Sequence, residues 1–293
     1  MIKFTGVMPA LVTPLTSDEK LNVDALKMLL DRHLNEEADG FYIGGATGEG
    51  IALSREVREE LAYESIKHIG GKVPSIVHIA STNFNEAIEL AKQAEKVGAD
   101  AISAIPPLFY QYDHQAIYNY YEGLSNAINI PIMIYNNPNT GVHFSAEQVA
   151  ELYNIKNVTA IKWTNYEFYQ VMRILDLTND EFNVISGPDE MLLCGLAAGA
   201  DGCIGTTYNF LMPEVRAVYD AFRAGDMEGA RKAQTVVSTI VDELIKYNVV
   251  LATKVILEAK GYDVNHPLYP MHDYTPEQKA EMLANLQKAG LKL

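Results

Sequence analysis

Residues 130–164 read IPIMIYNNPNTGVHFSAEQVAELYNIKNVTAIKWT: a short apolar run, IPIMIYN (130–136), a span long enough for a helix, then a second run, VTAIKWT (158–164). Both runs are continuous rather than alternating, as expected of strands buried on two faces. The unit repeats in both directions. Toward the N-terminus stand GVMPALVTPL (6–15), GFYIGG (40–45), SIVHIA (75–80) and AISAIPP (101–107); toward the C-terminus stand FNVISG (182–187) and GADGCIG (199–205). Between them lie amphipathic stretches such as NVDALKMLLDRHLNEE, REVREELAYESIKHI and NEAIELAKQAEKVGA. Strands that alternate with helices predict an α/β chain whose parallel sheet is covered by helices. An open doubly wound sheet shares this rhythm. Eight units of similar length favour the closed (β/α)8 TIM barrel, and no G-x-G-x-x-G follows the first strand to favour the open fold.

After residue 212 the strand pattern stops. PEVRAVYDAFRAG reads as the barrel's eighth helix, and MEGARKAQTVVSTIVDELIKYN, VLATKVILEAKG and TPEQKAEMLANLQKAG as a C-terminal helical extension. The expected organisation is a barrel over 1–225 and a helical bundle over 226–293, packed as a single unit. A barrel alone takes about 250 residues, so the 293 available suit one barrel and its appendage.

With 48% hydrophobic residues the chain can bury a large core. No apolar run is long enough to suggest a transmembrane span. The N-terminal MIKFTGVMPALVTPL carries one lysine, an early glycine and two prolines before strand-like sequence, and does not read as a signal peptide. The expected location is therefore cytoplasmic. Cys194 and Cys203, in small-residue apolar surroundings, are expected to be two buried free thiols rather than a disulfide. A formal net charge of −15 argues against nucleic acid or anionic membranes as partners. An anionic small-molecule substrate would have to be met by local donors.

Barrel active sites lie at the C-terminal ends of the strands. Lys162 stands in an otherwise uncharged strand. Side chains alternate, so Ala160, Lys162 and Thr164 share one face, and Ile161 and Trp163 the other. With the bulky pair against the helices, the lysine reaches the barrel mouth, where desolvation disfavours the ammonium and a free amine can attack a ketone. The bland alternative is a lysine that snorkels outward or pairs with a core carboxylate. Tyr135 ends IPIMIYN, where a phenol beside an amine can shuttle protons; alone, it reads equally as a plug bonded to backbone.

GGATGEG (44–50) has neither the lysine of a P-loop nor dinucleotide spacing. Its glycines allow close approach of a ligand, and Thr47 offers a hydroxyl and an N–H to a carboxylate, unless this is only a strand-to-helix turn. Asp189 and Glu190 follow Gly187 and Pro188. They read either as acids offsetting a helix dipole or as acceptors for a polyhydroxylated tail. The seven histidines show no ligand spacing, so no metal is expected.

Together, GGATGE, the YNNP strand end, the lysine of IKWT and GADGCIGTTYN, in that order, resemble the dihydrodipicolinate synthase and N-acetylneuraminate lyase superfamily over essentially the full chain. Lys162-x-Thr164, Asp189-Glu190 after Gly187, and Gly205-Thr206-Thr207-Tyr208-Asn209 look like the lyase branch. The synthase branch carries an arginine shortly after Tyr-Asn-x-Pro, and YNNPNTG has none. The resemblance implies a class I aldolase that cleaves N-acetylneuraminate to N-acetylmannosamine and pyruvate without a cofactor. In it Lys162 forms the Schiff base, Tyr135 relays the proton, and Ala46 and Thr47 stand at the carboxylate site. Thr164, Gly187, Asp189, Glu190 and Thr206 contact the sugar-derived part, and Gly205 also stands at the substrate site. Tyr110 matches a tyrosine that crosses into the neighbouring subunit's site, which implies a homotetramer built as a dimer of dimers. Ala46 and Thr206 each replace a serine of the lyase pattern, and the YNNPNTG loop is one residue shorter. A related enzyme acting on a 2-keto-3-deoxy sugar acid, a synthase-like condensation, and a non-catalytic sugar-acid binder therefore remain the alternatives.

Overall fold

The computed structural model describes residues 3–293; Met1 and Ile2, which begin the N-terminal stretch read above, lie outside the described residues. All eight apolar runs form strands: β1 (Gly6–Pro9), β2 (Phe41–Ile43), β3 (Ser75–His78), β4 (Ala101–Ala104), β5 (Ile132–Asn136), β6 (Val158–Trp163), β7 (Asn183–Ser186) and β8 (Gly202–Gly205). Every residue in them is buried, which explains why the runs are continuous: one face packs inside the barrel and the other under helices. Neighbours pair in parallel in the order β1-β8-β7-β6-β5-β4-β3-β2. The ring closes where Ala10 bridges Tyr42 and the Leu11 N–H donates to the Tyr42 carbonyl at 2.9 Å. Closure removes the exposed edges that an open sheet must protect.

The covering helices are α1 (Val23–Asn35), α2 (Arg55–Ile69), α3 (Phe84–Val97), α4 (His114–Ala127), α5 (Ala146–Tyr153), α6 (Phe168–Leu177), α7 (Leu192–Ala197) and α8 (Tyr208–Arg223). Many start on a side-chain cap: Asn22, Ser54, Asn83, Asp113 and Ser145 each accept from a first-turn N–H. The extension is α9 (Met227–Leu244), α10 (Val249–Ala259) and α11 (Pro276–Lys288). Among the described residues, no helix is long and apolar enough to cross a membrane.

Two expectations need correcting. The eighth helix begins at Tyr208, ahead of the PEVR segment, and runs through Pro213 with a kink at Leu211. Proline has no N–H to bond the carbonyl four residues back. That carbonyl, Asn209 O, instead accepts from Arg32 Nη1 at 2.7 Å, so the helix continues past the proline. Both cysteines are free, but only Cys203 is buried; Cys194 is exposed. On α7 the buried stripe is Leu192, Gly195 and Leu196, and position 194 falls on the opposite side.

Candidate active site

Strand register brings the sequence-predicted residues to one end of the barrel. Tyr135 and Lys162 are direct partners across β5 and β6. Lys162 is 5% exposed, and Nζ lies 4.8 Å from the Tyr42 ring centroid and 4.5 Å from that of Tyr135. Ile161 and Trp163 are buried on the other face, as alternation requires. Among the described residues, Lys162 forms no ion pair, so it neither snorkels outward nor neutralises a core carboxylate.

Tyr42 and His78 were not singled out from sequence. Tyr42 packs edge-on against Tyr135 with centroids 5.9 Å apart, and its hydroxyl donates to Ser103 Oγ at 2.9 Å. Ser103 Oγ in turn donates to the Met133 carbonyl at 2.9 Å. Burial pushes the Tyr42 phenol well above its usual range. His78 stands 6.0 Å from the Tyr135 ring. Burial, helped by the charge of Arg58, pushes it down to about 3, so the imidazole is neutral. Both residues break a strand's apolar run in the barrel-facing phase, and that is the signal that could have found them.

The turn after β2 carries Thr47, whose Oγ1 lies 2.7 Å from Thr206 Oγ1, with either hydroxyl able to donate. Ala46 beside it is exposed. The glycines are structural: a Cβ on Gly50 would lie 1.7 Å from the Gly44 carbonyl oxygen. Glu49, also unforeseen, adopts φ 55. Its carboxylate pairs with Lys254 of α10 at 2.5 Å and accepts from the Leu268 N–H at 2.7 Å. Both charges are buried. A lone acid in a glycine-rich turn and a lone lysine in the apolar VLATKVILEA are the matching clues.

Across the mouth, Gly187 packs so closely on Thr164 that a Cβ would stand 2.1 Å from its Oγ1. Asp189 is buried; its Oδ2 accepts from the Thr207 N–H at 2.8 Å and from Thr207 Oγ1 at 2.7 Å. The other oxygen, Oδ1, is buried without a partner. Desolvation raises this carboxyl to about 6 despite the two bonds from Thr207. Gly205 makes room for it, since a Cβ there would lie 1.9 Å from Asp189 Oδ1. Glu190 accepts from the Tyr166 hydroxyl, and that bond raises the phenol to about 12. Thr164, Gly187, Asp189, Glu190 and Thr206 line one cleft of about 440 Å³, which Val241 of α9 and Ile245 at its C-terminal cap also line.

Tyr110 is not brought to this cleft. It is 71% exposed, beside Phe109 at 88%. Among the described residues, no cluster of three or more His, Cys, Asp or Glu side chains is arranged to hold a metal ion.

Residues 3–289 match the model of the dihydrodipicolinate synthetase family. A relative from Lactiplantibacillus plantarum, an N-acetylneuraminate lyase, is 33% identical over 281 residues, 95% of this chain and 96% of that one. The structure of N-acetylneuraminate lyase from Mycoplasma synoviae superposes with a TM-score of 0.90 at 33% identity, covering 99% of both chains. Dihydrodipicolinate synthase DapA-2 from Bacillus anthracis superposes with a TM-score of 0.93 at 26% identity, covering 98% of this chain and 99% of that one. The sequence match over nearly the whole chain, on a barrel with a lysine at its mouth, means that this chain belongs to the dihydrodipicolinate synthetase family.

Proposed function

We propose that this chain is a class I, pyruvate-dependent aldolase that cleaves N-acetylneuraminate to N-acetylmannosamine and pyruvate through a Schiff base on Lys162. The observation that carries this reading is the unpaired, buried Lys162 amine held between the Tyr42 and Tyr135 rings at the mouth of the barrel. The 33% identity to lyases over nearly the full chain supports the substrate class.

The amine of Lys162 adds to the C2 ketone of the open-chain 2-oxo acid, and loss of water gives the protonated imine. The C4 hydroxyl then gives up its proton, the C3–C4 bond breaks, and its electron pair moves into the iminium. The aldehyde leaves and an enamine remains on the lysine. Protonation at C3 and addition of water at C2 release pyruvate and restore the amine. Tyr135, whose ring flanks the amine at 4.5 Å, relays protons at the substrate. Thr47 and the N–H groups of its turn bind the pyruvyl carboxylate, beside the hydroxyl of Thr206, which is the local donor set that a chain of net charge −15 requires. The unpartnered Asp189 Oδ1, with Thr164 and Glu190, accepts hydroxyls of the sugar-derived part.

Ala46 keeps a second reading open: a pyruvate-dependent enzyme for a 2-keto-3-deoxy sugar acid, since the turn offers one hydroxyl fewer than the lyase pattern. A substrate panel scored by pyruvate release separates the two. Turnover highest on N-acetylneuraminate is expected; preference for a non-acetylated acid would overturn the choice. We also assign Tyr110 to a neighbouring subunit's site in a homotetramer, a reading that its exposure beside Phe109 supports. Two free thiols are in keeping with a reducing cytoplasm.

A further inference from the structure

Asp189 and Glu190 sit on a single 3-10 turn, Asp189–Met191, whose start has no side-chain cap. The next helix, α7, has none of its own either, since Met191 occupies its N-cap position. A helix start leaves N–H groups that need partners. Here the partner comes from the C-terminal extension: Gln234 Oε1 on α9 accepts from the Leu193 N–H at 2.8 Å. The same carboxamide donates through Nε2 to the Asp189 carbonyl at 3.1 Å and to Ser238 Oγ at 3.1 Å. Ser238 Oγ in turn donates to the Glu190 carbonyl at 2.9 Å. One side chain therefore bridges the turn from its first carbonyl to the N–H beyond it, and a second fixes the peptide between.

Gln234, Ser238 and Val241 recur at helical spacing on one face of α9, Ile245 continues that face at the C-terminal cap, and the last two line the cleft itself. This face thus borders the ligand space at one end and grips the acidic turn at the other.

We propose that Gln234 and Ser238 are positioning residues for the sugar-derived end of the substrate, setting from outside the barrel where Asp189 and Glu190 stand. The proposal rests on the reading of those carboxylates given above. It requires the two side chains to act on the tail and not on the pyruvyl end, because they bond the backbone around Asp189 and Glu190 and make no bond to Lys162.

The test compares Gln234→Ala, Ser238→Ala and Ser238→Thr by pyruvate release from N-acetylneuraminate, by borohydride trapping of pyruvate, and by melting temperature. Gln234→Ala and Ser238→Ala are expected to raise KM for the sugar acid on the order of tenfold, because small misplacements of binding groups are costly. The pyruvate concentration needed for trapping stays at the wild-type value. Ser238→Thr keeps a hydroxyl donor and returns KM to near wild type. An unchanged KM in both alanine variants, whatever their melting temperatures, overturns the proposal. So does a parallel loss of pyruvate trapping, which would mark a general structural role. A wild-type protein that traps pyruvate but releases none from N-acetylneuraminate instead refutes the substrate reading, and the positioning claim falls with it.

Discussion

Replacing Asp189 with asparagine should make the protein more stable and less active, with a gain that depends on pH in a defined way. The carboxyl is raised from 3.8 to about 6 by burial, so the fold prefers the neutral acid. Below about pH 3.8 folded and unfolded chains both hold the proton, and the penalty is absent. Between 3.8 and about 6 the unfolded chain releases it first, so rising pH costs stability, and above 6 the penalty is complete. Its full size is about 3 kcal/mol, and at about pH 5 roughly half of that. Asparagine is neutral throughout and nearly the same shape, and it can still accept from the Thr207 N–H and hydroxyl. Urea denaturation at about pH 8 and about pH 5 should show Asp189→Asn more stable at both, by a margin that shrinks toward the lower value. In the same variant kcat/KM for the sugar acid should fall by about 10- to 100-fold, the worth of a hydrogen bond to a charged acceptor. A stability difference independent of pH, or a wild type more stable at pH 8, would refute the reasoning.

Lys254→Met should destabilise the fold by about 3–5 kcal/mol, because it strands the buried Glu49 charge. Denaturation titrations check this, and recovery of most of the loss in Lys254→Met with Glu49→Gln is expected, since the pair then disappears together. Gly205→Ala should cut kcat/KM for the sugar acid at least about tenfold while leaving pyruvate trapping intact, because its Cβ would lie 1.9 Å from Asp189 Oδ1 and must displace that carboxylate. Steady-state kinetics beside trapping decides it; unchanged kinetics would mean Asp189 does not act where it stands.

The barrel was legible in the sequence because strands buried on both faces leave continuous apolar runs, and those runs recur at helix-length intervals. The run over 6–15 was read too long: the strand stops at Pro9, and Ala10 beyond it forms the bridge to Tyr42 that closes the ring. Lys162 stood out for a simple reason: a lone charge in such a run has few uses. Tyr42 and His78 obey the same logic but are only weakly polar, so their strands still read as ordinary. Glu49 and Lys254 lie far apart in the chain, and neither reveals that the other cancels its charge. The start of α8 was hidden because the arginine that replaces the proline's missing partner comes from α1. Gln234 and Ser238 look like any polar positions on an amphipathic helix; only packing shows that they bond the Asp189–Met191 turn.

The most direct test of the central claim is borohydride reduction in the presence of pyruvate, followed by peptide mass mapping. The account predicts one reduced pyruvyl group per chain, carried by the peptide containing Lys162 and absent from Lys162→Arg, with carbon–carbon cleavage lost in the same variant. No adduct at Lys162, or cleavage undiminished in Lys162→Arg, would contradict it.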